Sequence, residues 1–253
     1  MLNHKIFGAG PPLVVLHGLF GMLDNWKTLA RRWAEDHTVI LVDLPNHGRS
    51  PHYGEMNYSF IAERVAELLE ELRIHRTALL GHSLGGKAAM QLALSAPDLV
   101  EKLIVVDMSP RAYRRGHDDV FAALHSLDPA ELTDRKQAAD LLGNHITDPG
   151  IQLFLLKNLT RTPDAFAWRM NLPVLTERYE ELIQAVGENT EPYPHPTLFL
   201  RGAESGYVQE EDWPLIQSLF PEARLATVAN AGHWVHAEAP DVTYAEIRDF
   251  LAR

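Results

Sequence analysis

Short, unbroken aliphatic runs recur along this chain, each followed by a longer amphipathic stretch, and that alternation limits the fold more than any other feature. "PLVVLHG" (12–18), "TVILVDLP" (38–45), "TALLGHS" (77–83) and "EKLIVVDMSP" (101–110) read as buried strands. Helical spacing lies between them. "DNWKTLARRWAED" (24–36) carries Trp26, Leu29, Ala30 and Trp33. "YSFIAERVAELLEELRI" (58–74) places Phe60, Ile61, Val65, Leu68, Leu69 and Leu72 on one face, and "LGGKAAMQLALSAP" (84–97) follows the third strand. Strands that carry no polar alternate positions are covered on both faces. The pattern therefore predicts an α/β fold, with a mostly parallel central sheet flanked by helices.

The alternation stops after Pro110. Residues 112 to about 190 read as mostly helical, with no convincing strand, in segments such as "DVFAALHSL", "IQLFLLKNLT" and "TERYEELIQAV". Strand signals return at "PTLFLRGA" (196–203) and "ARLATVANAG" (223–232), and "DVTYAEIRDFLA" closes the chain as an amphipathic helix. The expected organisation is a core domain of residues 1–111 and 191–253, with a helical cap, 112–190, inserted between two core strands.

The third strand runs into "GHSLGG". A G-x-S-x-G pattern between a strand and a helix is the setting in which a serine sits on a sharp, strained turn with its hydroxyl exposed at the sheet edge. Gly81, Gly85 and Gly86 would leave room for strand and helix to approach. This makes Ser83 a candidate nucleophile, and a serine hydroxyl needs a base. The C-terminal ends of parallel strands share one edge. His233, on the turn after the last strand in "NAGHWVHAEAP", should arrive there. His236, three residues on, is the competing choice. A carboxylate must orient the imidazole, and two strand ends offer one, Asp107 and Glu204. The oxyanion donors expected from this arrangement are the backbone N–H groups of Leu84, after the serine, and Leu19, in the "HGLFG" loop.

Taken in order, "HGLFG", "DLPNHGRS", "GHSLGG", "VVDMSP", a helical stretch, "RGAES" and "AGHWVHAE" resemble the α/β-hydrolase superfamily along nearly the whole chain. "GHSLGGKAAM", "FLLKNL", "FAWRMNLPVL" and "DLPNHGRSPH" are similar to the YbfF-type esterases and their mitochondrial relatives. The resemblance implies a carboxylesterase with a Ser-His-Asp triad and an acyl-enzyme intermediate, active on short acyl esters and extending to acyl-CoA thioesters. It places the acid at Asp107. The position that carries the acid in many other α/β hydrolases, third after the glycine of "RG", is Ser205 here, which is not an acid. The superfamily also contains lyases, C–C hydrolases and cofactor-free perhydrolases that use the same triad, and these stand as the alternative.

Composition narrows the partners. A net charge of −11 and a pI near 5.6 disfavour nucleic acid and anionic membranes. The absence of cysteine removes disulfides, thiolate metal sites and a Cys nucleophile. The N-terminal "MLNHKIFGAGPP" does not read as a signal peptide, and "LVVLHGLF" is far shorter than the ~20 residues of a membrane span. The expected location is the cytoplasm, and the expected partner is a small-molecule ester or thioester. No metal-spaced cluster and no G-x-G-x-x-G occur, so no cofactor is expected. Oligomeric state stays open. In the cap, Phe154, Trp168, Met170 and Leu172 are candidates to line an acyl pocket. Asn46, His47 and Arg49 form a loop near it, and Lys87 reads as structural.

Overall fold

The computed structural model describes all 253 residues. Its main sheet has seven strands. They are β1 (His4–Phe7), β2 (Pro12–Leu16), β3 (Thr38–Val42), β4 (Thr77–His82), β5 (Val100–Val106), β8 (Thr197–Gly202) and β9 (Ala223–Val228), in the order β1-β3-β2-β4-β5-β8-β9. Every pair is parallel except β1 with β3. The aliphatic runs account for the six parallel strands. Nothing in the residue pattern marks β1: it is four residues long and half exposed on the antiparallel edge, so it lacks the buried run that identifies the central strands.

Alternate side chains of each strand face opposite layers. Leu13, Val15 and Leu80 pack with Trp26, Trp33 and Phe250, under α1 (Lys27–Trp33) and α11 (Pro240–Leu251). Val14, Leu16 and Leu79 pack on the other side, under α2 (Tyr58–Glu71) and α3 (Leu84–Ser95). The remaining core helices, α9 (Trp213–Leu219) and α10 (Val235–Glu238), flank β9 in sequence. A mostly parallel sheet with helices on both faces is the α/β architecture that the alternation predicts. No helix is long and apolar enough to cross a membrane.

Between β5 and β8 the chain forms α4 (Asp118–His125), α5 (Arg135–Gly143), α6 (Pro149–Leu156), α7 (Leu172–Glu177) and α8 (Tyr179–Leu182). The reading of this region as mostly helical with no strand needs one correction. A two-stranded antiparallel hairpin, β6 (Leu159–Arg161) and β7 (Phe166–Trp168), interrupts it. Strands of three residues are too short to display a period of two. Their turn is closed by Thr162, whose Oγ1 accepts from Ala165 N–H at 3.0 Å. Apolar residues of this insertion, among them Phe121, Leu155 and Leu175, belong to the same buried cluster as α2 and α3.

Candidate active site

The sharp turn at the end of β4 is built by what is missing at its glycines. A Cβ on Gly81 would lie 2.0 Å from the Gly85 carbonyl oxygen, and one on Gly85 would lie 2.5 Å from that of His17. Only glycine lets β2, β4 and α3 meet so closely. Ser83 itself is held at φ 54°, ψ −120°, a strained region for a residue with a side chain. Its N–H is tied to the Val106 carbonyl at 3.1 Å.

Three predicted residues converge there. His233 Nε2 lies 3.0 Å from Ser83 Oγ, and His233 Nδ1 lies 2.7 Å from Asp107 Oδ2. A carboxylate only accepts, so Nδ1–H donates and Nε2 is left free to take a proton from the serine. Asp107 is fully buried, at φ 50°. Its Oδ1 accepts from Gly202 N–H at 3.0 Å, and its Oδ2 also accepts from the Ser205 hydroxyl. Ser205, the residue third after Gly202, thus donates to Asp107 and is not itself an acid. Glu204 is exposed, with its backbone N–H bonded to Ala231. His236 borders the second cavity but stacks on Trp26 at 4.3 Å between ring centres, and burial holds its pKa down to about 3.

The imidazole of His233 is gripped from two further sides that the sequence did not reveal. Tyr207 stacks on it at 3.9 Å and 20°. The His82 ring lies 4.7 Å away and its Nε2–H donates to the His233 carbonyl at 2.9 Å. Position 82 is the variable residue of the motif, and Tyr207 stands three residues past Glu204. Neither spacing carries a signal without the fold.

Leu19 and Leu84 border the same cavity as Ser83. Leu84 is the first residue of α3, so its N–H is one of the orphan donors of a helix start. Leu19 N–H has no acceptor in the protein. Neutral imidazoles fix the Leu19 loop. His47 Nε2 accepts from Phe20 N–H at 3.2 Å while its Nδ1–H donates to Pro45. His17 Nε2 accepts from Leu44 N–H at 3.0 Å. Burial, reinforced by His17, holds the pKa of His47 down to about 3, and burial lowers that of His17. The insertion adds one tie: Asn158 Nδ2 donates to the Phe20 carbonyl at 2.7 Å. Asn46 is buried and holds the loop itself, and Arg49 is exposed with its N–H bonded to Asp43.

Two cavities open from Ser83. The first, about 320 Å³, is walled by Leu84, Met108, Tyr58, Tyr113 and Lys87 among others. The second, about 380 Å³, is walled by His233, Trp26, Phe154, Leu155 and Trp234 among others. Leu19, Ser83, Gly116, His117 and Tyr207 border both. Of the four pocket candidates, Phe154 lines the second cavity and the other three line neither. Met170 and Leu172 are buried in the apolar cluster, and Trp168 is half-buried in the hairpin. Between Met170 and Leu172, Asn171 ties this segment to the Asn46 loop: its N–H and side-chain amide donate to the Asn46 carbonyl and Oδ1 at 2.9 and 3.0 Å.

Residues 11–240 match the family model described as alpha/beta hydrolase fold. The chain is 40% identical to Esterase YbfF of Escherichia coli (strain K12) over 95% of its own length and 92% of the relative's. It is 40% identical to "sn-1-specific diacylglycerol lipase ABHD11" of Mus musculus, over 96% and 81% respectively. A solved structure described as "Marine microorganism esterase" superposes with a TM-score of 0.97 at 36% identity, covering 98% of both chains.

Proposed function

The chain belongs to the α/β-hydrolase family, among its YbfF-type esterases, and on that premise we propose that this carboxylic ester hydrolase works through Ser83, His233 and Asp107 by way of an acyl-enzyme. The observation that carries this reading is the unbroken relay from Asp107 Oδ2 through His233 to Ser83 Oγ, at 2.7 and 3.0 Å. In it, Ser83 Oγ attacks the ester carbonyl while His233 Nε2 takes its proton. The carbonyl oxygen becomes an oxyanion that the Leu19 and Leu84 N–H groups stabilise. Asp107 stabilises the imidazolium and keeps its proton on Nδ1. His233 then protonates the leaving oxygen or sulfur, and water activated by the same nitrogen releases the acid.

The two cavities have different duties in this scheme. The leaving group must stay within reach of His233, which borders only the second cavity. Alcohol or thiol therefore leaves by the second cavity, and the acyl chain occupies the first. Both walls are largely apolar, as suits small-molecule esters, and the same chemistry extends to acyl-CoA thioesters.

The test is steady-state hydrolysis of p-nitrophenyl esters and acyl-CoA thioesters of graded length, by native protein and by Ser83→Ala. Ester cleavage that disappears in the variant is expected. Equal cleavage by both proteins would remove Ser83 from the reaction.

A further inference from the structure

His117 caps the start of α4 and borders both cavities, as Ser83 does. The segment around it is fastened on two sides. Arg115 pairs with Asp118 and with Glu180, and the His117 carbonyl oxygen accepts from Phe121 N–H at 2.9 Å. The ring is held by Tyr179, whose Oη lies 2.6 Å from His117 Nδ1. The triad uses neither residue.

The Tyr179 contact sets which ring nitrogen carries the hydrogen. Tyr179 is buried, and its Oη has two partners, Gly116 N–H at 3.3 Å and His117 Nδ1. A backbone N–H only donates, so Nδ1 is the one acceptor within reach of the phenol hydrogen. A buried hydroxyl left without an acceptor is costly, so Tyr179 donates and Nδ1 accepts. Burial lowers the pKa of His117, and His233 lowers it further, which keeps the ring neutral. A neutral imidazole that accepts at Nδ1 carries its hydrogen on Nε2. That N–H has no acceptor in the protein, yet it is not sealed in the interior. It opens on the space that the two cavities share.

That space is where the ester group itself sits, with the acyl chain on one side and the alcohol on the other. The carbonyl oxygen is served by the Leu19 and Leu84 N–H groups. The bridging oxygen is the atom left for a further donor. In the tetrahedral intermediate it has two lone pairs. One takes the proton that His233 carries, and the other is free. Sulfur in the same place is a weak acceptor.

We propose that His117 Nε2–H donates a hydrogen bond to the bridging oxygen of the substrate, so that it assists the cleavage of oxoesters selectively over thioesters of the same acyl chain. The proposal rests on Ser83 as nucleophile and on the division of the two cavities. When the carbon–oxygen bond breaks, its electron pair goes to the oxygen, and the proton gained there comes from Ser83 by way of His233. His117 keeps its own hydrogen and steadies the charge that builds on the leaving oxygen.

The experiment compares ethyl butanoate with S-ethyl thiobutanoate, which differ in the bridging atom alone, by kcat/KM. His117→Phe keeps a ring without a donor and should lower the oxoester-to-thioester ratio by about tenfold or more. The ratio of ethyl butanoate to p-nitrophenyl butanoate should fall with it, because nitrophenolate needs little help to leave. His117→Gln, whose amide nitrogen reaches the place of Nε2, should restore most of both ratios. His117→Asn, whose shorter amide reaches only the place of Nδ1, should behave as His117→Phe and decides the matter if that variant does not fold. Native ratios in a folded His117→Phe or His117→Asn protein overturn the proposal and leave His117 a packing role. So does a folded His117→Gln protein with ratios as low as those of His117→Phe. In these cases, Ser83-dependent cleavage leaves the esterase reading standing. Cleavage of the esters that survives Ser83→Ala would overturn the proposal and the mechanism beneath it together.

Discussion

The hydroxyl of Ser205 is hydrogen-bonded to Asp107, on the same carboxylate oxygen that accepts from His233. Asp107 directly follows β5, and Ser205, three residues past the end of β8, donates to it. A hydrogen bond to a buried charge contributes about 1.5–3 kcal/mol, so Ser205→Ala should lower kcat by roughly ten- to a hundredfold with KM little changed. A variant with native kcat would show that the Gly202 N–H and His233 hold Asp107 without help.

The identity of the acid is tested by a matched pair. Asp107→Asn removes the acceptor that fixes the His233 tautomer and should cost about 10⁴-fold in kcat, as in the serine-protease precedent. Glu204→Gln, at an exposed position, should leave kcat within about twofold of native, as exposed substitutions of this kind do. A severe loss confined to Glu204→Gln would reverse the assignment. In the Asp107→Asn background, Ser205→Asp should recover part of the lost activity, because it returns a carboxylate to the same side of the imidazole.

The turn at Ser83 gives a structural prediction. Gly85→Ala places a methyl group 2.5 Å from the His17 carbonyl oxygen, whereas Gly54→Ala meets nothing within 4 Å. Backbone atoms cannot yield as a flexible side chain would. Displacing the serine by about 1 Å is worth about 10²-fold in rate. Gly85→Ala should lose at least that much and melt earlier than Gly54→Ala in a circular dichroism scan. Matching melts and rates for the two variants would mean that the close approach is relaxed in solution.

Much of this site is legible in the order of the residues alone. The strands that lead to Ser83 and Asp107 are aliphatic and buried, the half-buried β9 leads to His233, and a parallel sheet brings their ends to one edge. What escapes such a reading is made by the meeting of distant segments. Ser205 and Asp107 are 98 residues apart, and nothing local distinguishes a serine that donates to an acid from one that caps a turn. Met170 and Leu172 have the composition of a pocket wall, but Asn171 fastens their segment to the Asn46 loop and both are buried in the apolar cluster. Lys87 reads as structural from its place on the helix. Its cavity exists only once Tyr58 and Tyr113 are packed around it. The edge strand β1 and the β6–β7 hairpin go unseen because short or exposed strands carry little pattern.

Buried histidines give the stability a direction in pH. The pKa values of His47 and His236 are held down to about 3 by burial, and those of His17 and His82 are lowered by the same cause. In the unfolded chain all four return toward about 6.5. Below that value the unfolded state binds protons that the native state refuses. Their contribution is thus complete above about pH 6.5 and is lost as the pH falls from there toward about 3. The urea midpoint should decline between pH 7 and pH 5. His236→Phe, which keeps a ring against Trp26, should flatten the slope by about one proton. A midpoint unchanged over that range would show that the imidazoles protonate without unfolding the protein.

Access to the serine can be probed at Phe154, which borders the second cavity against Trp234 at 5.7 Å between ring centres. Phe154→Ala should alter the preference among esters that differ in their alcohol more than among those that differ in their acyl chain. Trp168→Ala, in the hairpin, should lower the melting temperature and leave both preferences as they are. Equal shifts in the acyl and alcohol series for Phe154→Ala would contradict the division of the two cavities.

The central claim is that Ser83 is activated by His233 as a covalent nucleophile. The most direct measurement is intact-mass analysis after exposure to a fluorophosphonate, with peptide mapping of the product. Native protein should gain one adduct, mapped to Ser83. The adduct should be absent from Ser83→Ala and form orders of magnitude more slowly in His233→Ala, since loss of a triad member costs that much. Labelling that persists in Ser83→Ala, or that maps to another residue of the native chain, would contradict the account.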